Sequence, residues 1–209
     1  MVKYVEENKE SIIEFIRNGL LFNGQDNNEY ITVWKEYEHQ GCELFLEYLN
    51  GKIEFTFIKA KKKSVYPEII IIREDKKYAF DFKVSVDTAN PQYDIARLDT
   101  FEERMKKYDE EFEIIIKYNI VHGVVDIFIE KIKDVIGYNK LSKGVKYRPY
   151  DGKVRPKTWD DFKDGKTYFE THEDLLKGIK NSKIKRNRDL FETWKKEFSS
   201  EDIKLIIGE

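Results

Sequence analysis

Glu68, Asp81 and Lys83 are the residues whose types and spacing could do chemistry. Glu68 follows Tyr66-Pro67, while Asp81 and Lys83 flank Phe82. A carboxylate pair can hold a hard cation, and a lysine beside it brings positive charge to an anionic substrate. A strand has a side-chain period of two, so Asp81 and Lys83 point the same way, roughly 6–7 Å apart. A D-x-K triplet by itself is more often a solvated salt bridge on a surface hairpin. The acid after proline and the apolar run that follows it make this set more specific.

The elements that must position these residues are legible around them. Ile69 to Ile72 is a short, β-branched, continuous apolar run, the pattern of a buried strand. From Lys77 to Ser85 the chain alternates, with Tyr78, Phe80, Phe82 and Val84 on one face and Ala79, Asp81 and Lys83 on the other. With Arg73-Glu74-Asp75-Lys76 as the turn of a hairpin, Ile72 faces Lys77 and Glu68 faces Asp81. Directly opposite side chains have Cβ atoms about 4.5–5.5 Å apart. Two carboxylates are then side by side, and like charges so placed are destabilising unless something lies between them. A divalent cation with oxygen ligands, such as Mg²⁺, relieves that repulsion.

Composition bounds the rest. The 209 residues are enough for one domain, 1–209, with a sizeable core. Apolar residues make up 40% of the chain, with many aromatics, which excludes a disordered chain. No apolar run approaches the roughly 20 residues that span a membrane, and the charged N-terminus MVKYVEENKE has no signal-peptide apolar region. Cys42 is the only cysteine, so no intrachain disulfide forms, and a cytoplasmic location is the default expectation. The net charge of −2 hides an uneven distribution. Residues 1–50 carry ten acids against four Lys/Arg, whereas residues 140–157 carry seven Lys/Arg against the single acid Asp151. Lys59 to Lys63 and Lys183 to Arg188 add two basic clusters. Basic segments in an otherwise acidic chain suit a protein with one polyanion-binding face; solvated loops are the plainer reading of any one run.

Along the chain, Ser11 and Glu14 form a capping-box pattern ahead of a helix ending near Gly19. Residues 24–28 read as a loop. Residues 30–50 read as one broken or two short helices, with Gly51 a C-terminal cap. Ile53 to Ile58 alternates as a strand. Asn90-Pro91 reads as a helix start, with Ile95, Leu98, Phe101, Met105 and Tyr108 as its apolar stripe. Glu113 to Tyr118 and Val124 to Ile129 read as strands. Residues 138–158, rich in Gly and Pro, read as a long loop or hairpin with basic tips. Helical patterns follow near His172 to Ile179 and Asp189 to Phe198. Other chemistries lack support. Gly165-Lys166-Thr167 has Asp160 where a P-loop needs glycine, and the histidines at 39, 122 and 172 have no ligand-like spacing.

The hairpin resembles the signature of the PD-(D/E)xK nucleases, with Pro67-Glu68 as the first acid and Asp81-Phe82-Lys83 as the second acid and lysine. Glu68 stands where that family usually has Asp, and reaches one methylene further. The order of helices, strand, basic loop, Tyr-Pro-acid, apolar strand, polar turn and D-x-K is similar to the EcoRV branch of type II restriction endonucleases. So is Asp161-Phe162-Lys163-Asp164-Gly165-Lys166, and the likeness spans roughly residues 30–180.

The resemblance implies an α+β fold with an α/β-type core: a mixed central β-sheet carrying a catalytic hairpin, flanked by helices. It implies a Mg²⁺-dependent, homodimeric endonuclease of a restriction-modification system that cuts double-stranded DNA, usually to blunt ends. Glu68 and Asp81 would be metal-binding acids, with the Phe82 carbonyl completing the protein ligands. Lys83 would contact the attacking water or the scissile phosphate. A helical glutamate upstream would be Glu36, with Glu43 as the alternative. Lys61, Lys62, Lys63 and Ser64 would lie on the minor-groove side, and Lys153, Arg155 and Lys157 would read base edges in the major groove. Two other readings remain at this stage: a repair or recombination nuclease of the same fold, and a non-catalytic nucleic-acid-binding protein.

Overall fold

The computed structural model describes residues 1–20, 30–60, 66–88, 91, 94, 96–119, 121–137, 145–148, 153–156, 159 and 169–207. Five strands form a mixed sheet in the order β1-β2-β3-β5-β6: β1 (Thr56–Lys59), β2 (Ile69–Arg73), β3 (Lys76–Val86), β5 (Glu110–Asn119) and β6 (Gly123–Lys131). All neighbours are antiparallel except β3 and β5, which run parallel. A parallel pair needs a crossover. Here it contains β4 (Ala96–Arg97) and α4 (Leu98–Arg104). A second sheet, of three strands, has the order β4-β8-β7, with β7 (Val145–Arg148) antiparallel to β8 (Lys153–Pro156).

The hairpin that organises the first sheet has the expected register. Ile72 pairs with Lys77 and Ile69 with Phe80, which carries Glu68 opposite Asp81. Glu74 and Asp75, at φ 52° and 59°, make the two-residue turn. Positive φ at both central residues is what the primed hairpin turns need to match strand twist.

One face of the sheet is apolar over its centre. Ile69, Ile71, Phe80, Phe82, Ile114, Ile116, Ile127 and Ile129 pack against Ile12 and Ile16 of α2 (Lys9–Gly19) and Phe45 and Leu49 of α3 (Tyr30–Leu49). The helix α1 (Val2–Glu7) adds Val5 to this core. The other face is mixed. Ala79, Ile115 and Phe101 are buried there together with Asp81, Glu111 and Glu113. β5 lies between β3 and β6, and its Phe112–Ile116 stretch is buried on both faces.

Several helix bounds differ from the sequence pattern. The α2 helix starts at Lys9, so Ser11 lies inside it and caps nothing. Residues 30–49 form one continuous helix through Gly41. A Cβ on Gly41 would sit 3.0 Å from Ile116 Cδ1 and 3.2 Å from Phe82 Cδ1, so this glycine lets α3 approach the sheet rather than breaking the helix. The crossover helix α4 begins at Leu98, seven residues beyond Pro91, and Tyr108 lies past its end. Helices α5 (Ile132–Gly137), α6 (His172–Glu197) and α7 (Ser200–Ile207) follow, α6 joining two patterns that read as separate helices. Thr171 caps α6 by accepting from the Asp174 N–H. No described helix is long and apolar enough to cross a membrane.

Candidate active site

β2 begins at Ile69, but β3 runs on past it to Val86. Phe82 and Val84 therefore have no strand partner on the β2 side, and carboxylates take the place of one. The Phe82 N–H donates to Glu68 Oε2 at 3.0 Å, and the Val84 N–H donates to the Glu38 carboxylate from α3. In a strand each residue's N–H and C=O point to the same neighbour, so the Phe82 carbonyl faces this gap as well. Glu68 is fixed from its other side, because its carbonyl accepts from the Ala60 N–H at 2.9 Å and extends the β1–β2 ladder by one residue.

Asp81 is 1% exposed, and Lys83 Nζ stands 2.6 Å from its Oδ2. Among the described residues Asp81 Oδ1 has no N–H or O–H donor. Glu68 could supply one only by keeping its proton, and burial, a hydrogen bond to Asp81 and the Asp81 charge push its carboxyl up to about 9. Burial acts on Asp81 in the same sense, but the Lys83 ammonium and the hydrogen bonds from Glu68 and Lys83 outweigh it and hold Asp81 low. Burial alone would lower the Lys83 pKa; the charges of Asp81, Glu68 and Glu113 reverse this and raise it.

Two further carboxyls crowd the same group. Glu113, opposite Asp81 on β5, is fully buried, and neither of its oxygens has a hydrogen-bond partner among the described residues. Burial, then the Asp81 charge, push it up to about 8. Burial pushes Glu38 up to about 7, against the pull of Lys83 and with the push of Asp81. Glu38, Glu68, Asp81 and Glu113 thus converge on one ammonium. Among the described residues no three His, Cys, Asp or Glu side chains form a ready metal cage. Glu68, Asp81 and the Phe82 carbonyl instead offer a partial set of hard oxygen donors. That suits a cation which binds through one or two carboxylates and fills its remaining positions with water and phosphate.

The structure brings Glu68, Asp81, Phe82 and Lys83 together. Glu36 does not join them: it is exposed and accepts from Gln40 at 3.2 Å. Glu43 is exposed too and pairs with Lys59. Glu38, two residues from Glu36, is the helical acid that reaches the group. Helix geometry explains the difference, since two residues turn the chain by about 200°. Lys61, Lys62, Lys63, Ser64 and Lys157 lie outside the described residues. Ala60, the described residue that precedes 61–64 in sequence, donates its N–H to the Glu68 carbonyl. Lys153 and Arg155 sit on β8, opposite Arg148 and Lys146 of β7 respectively.

Three comparisons bear on what this group belongs to. No curated protein matches the chain. Among solved structures, the chain is similar to an NlaIV restriction endonuclease at 18% identity and a TM-score of 0.46, covering 74% of this chain and 71% of that one. A family model described as NgoBV restriction endonuclease matches residues 41–207, a span that takes in both hairpin acids, Lys83 and the whole of β5. A match over most of the chain, with the acid–lysine group inside it, shows that this protein belongs to the NgoBV restriction endonuclease family.

Proposed function

We propose that this type II restriction endonuclease is a Mg²⁺-dependent homodimer that hydrolyses both strands of a short duplex sequence and leaves blunt ends. Family membership makes it a site-specific deoxyribonuclease. The observation that carries the finer reading is the placement of Glu68 and Asp81 against each other, with Lys83 2.6 Å from Asp81, where β3 runs past the start of β2 and the Phe82 carbonyl has no strand partner on that side. Glu68, Asp81 and the Phe82 carbonyl would hold the metal. Mg²⁺ at such a site activates a water and neutralises charge on the phosphate.

The chain's own residues do the rest. Lys83 presents its ammonium beside the acid pair, where it orients the attacking water or screens the scissile phosphate. Glu38 anchors the Val84 N–H and so fixes the strand segment that carries Lys83. Lys61 to Ser64 contact the DNA from the minor-groove side. Lys153, Arg155 and Lys157 read base edges in the major groove, where Arg or Lys can engage guanine O6 and N7. A palindromic site calls for a two-fold dimer. The family description names NgoBV, so the EcoRV-like cutting geometry rests on the hairpin pattern alone.

Digestion of a fully sequenced plasmid with Mg²⁺ or with EDTA tests this. Discrete bands with Mg²⁺ only, and flush ends on sequencing, are expected. Staggered ends would remove the blunt-end reading. A smear would point to a nonspecific nuclease, and cleavage in EDTA would overturn the metal requirement. Light scattering of the free protein should give twice the 25.1 kDa chain mass.

A further inference from the structure

A second buried polar group lies two residues along β5 from the acid cluster, and its connections lead back to Glu68. Glu111 is 1% exposed. Its Oε2 accepts from Arg104 Nη2 at 3.1 Å, from Arg104 Nε at 3.3 Å and from the Tyr66 hydroxyl. The Arg104 guanidinium also stacks on the Tyr66 ring, 3.1 Å from its centroid. Tyr66 therefore has its hydroxyl and its ring face held by one ion pair. Burial, with the Glu111 charge, raises the Tyr66 pKa against the pull of Arg104, so the hydroxyl stays a donor.

Tyr66 is joined to Glu68 through Pro67, itself buried. Proline fixes its own φ, which removes one of the rotatable backbone angles between Tyr66 and Glu68. The far side of Glu68 is pinned by the Ala60 N–H. Arg104, meanwhile, ends α4, the crossover element continuous with β4.

We infer that Tyr66, Arg104 and Glu111 form a positioning unit that sets the Glu68 carboxylate against Asp81 for cation binding. This rests on the reading of Glu68 and Asp81 as the metal-binding acids. None of the three touches the reacting atoms. Tyr66 acts through the chain, and Glu111 and Arg104 act through Tyr66. Partners that orient a ligand in this way are typically worth about 10–100-fold in metal affinity.

The test is Mn²⁺ binding to the full chain without DNA, followed by electron paramagnetic resonance of free Mn²⁺. It is set beside the thermal midpoint and beside plasmid cleavage over a Mn²⁺ series. Tyr66→Phe removes only the hydroxyl. It should weaken Mn²⁺ binding by about 10-fold, shift the half-saturating metal concentration for cleavage by the same factor, and leave turnover at saturating metal unchanged. Glu111→Gln should do the same, which covers the case in which Tyr66→Phe fails to fold. A lower thermal midpoint with unchanged Mn²⁺ affinity would make the unit merely structural and overturn the inference. Asp81→Ala is the reference. If it binds Mn²⁺ as the wild type does, the metal-site reading itself falls, and there is nothing left for Tyr66 to position. Loss of binding in Asp81→Ala with wild-type binding in Tyr66→Phe sinks the positioning role alone.

Discussion

Glu111 and Glu113 stand two residues apart on the same face of β5, both removed from solvent, yet their surroundings are opposite in character. Glu111 has a fork of arginine nitrogens and a tyrosine hydroxyl, and Arg104 answers its charge directly. Glu113 has no hydrogen-bond partner among the described residues and faces Asp81, with Glu68 and Glu38 close behind. One cluster is charge-balanced, and the other holds four carboxyls against the Lys83 ammonium, with a lesser pull from Arg104 on Asp81 and Glu113. A balanced buried pair fixes geometry. An unbalanced one is costly until protons or a cation neutralise it. The contrast separates scaffold from site without appeal to any relative.

The largest effect expected from this contrast is on catalysis. On the proposed reading Asp81→Ala takes a metal-binding carboxylate from the unbalanced cluster and should abolish cleavage, with the unfolding transition kept. Retained cleavage by purified Asp81→Ala would break the comparison at its centre. Next comes the balanced cluster. Glu111→Met takes from the buried Arg104 guanidinium the carboxylate that answers its charge, so urea denaturation should show a loss of about 3–5 kcal/mol. A loss under about 1 kcal/mol would mean that water reaches Arg104, as at a surface pair.

A smaller effect sharpens where the unbalanced cluster ends. Glu38→Gln keeps an acceptor for the Val84 N–H but removes a charge facing Lys83. Cleavage should fall by about 10-fold, the low end for a residue that supports a metal site. Glu36→Gln should leave the rate alone, since Glu36 is exposed and bonded to Gln40. Equal loss in both variants would show that the helix surface charge matters rather than the site.

That pair also marks how far the sequence was legible. The hairpin register could be read because a strand has a period of two and Arg73-Glu74-Asp75-Lys76 left one place for the turn, and Ile72 does face Lys77. Asp81 and Lys83 followed from the same period. The helical acid could not be read so easily. Residues 30–49 carry glutamates at 36, 38, 43 and 47, and nothing in a 3.6-residue period says which of them meets the far end of a strand. The strand face also hid Glu113, because a lone acid at the start of an apolar run looks like a strand terminus. Arg104 was missed for a related reason. The Pro91 signal drew the helix too early, whereas its described part runs Leu98–Arg104 and aims its last residue at Glu111. The family match, from residue 41 onward, does not include Glu38.

The smallest effect runs in the opposite direction and tests the contrast most directly. Glu113 contributes a buried acid with no hydrogen-bond donor among the described residues to answer it, a group whose removal from water is not repaid. Replacing it by methionine keeps much of its shape, and its neighbour on the same face of β5, Ile115, is also buried. Glu113→Met should therefore raise stability in metal-free buffer, by about 1 kcal/mol, where Glu111→Met lowers it. The same measurement on both variants decides the matter, because the residues share a strand, a face and a degree of burial. If Glu113→Met costs as much as Glu111→Met, the two acids are equally well partnered. The division between a balanced scaffold and a strained site would then have to be drawn elsewhere on β5.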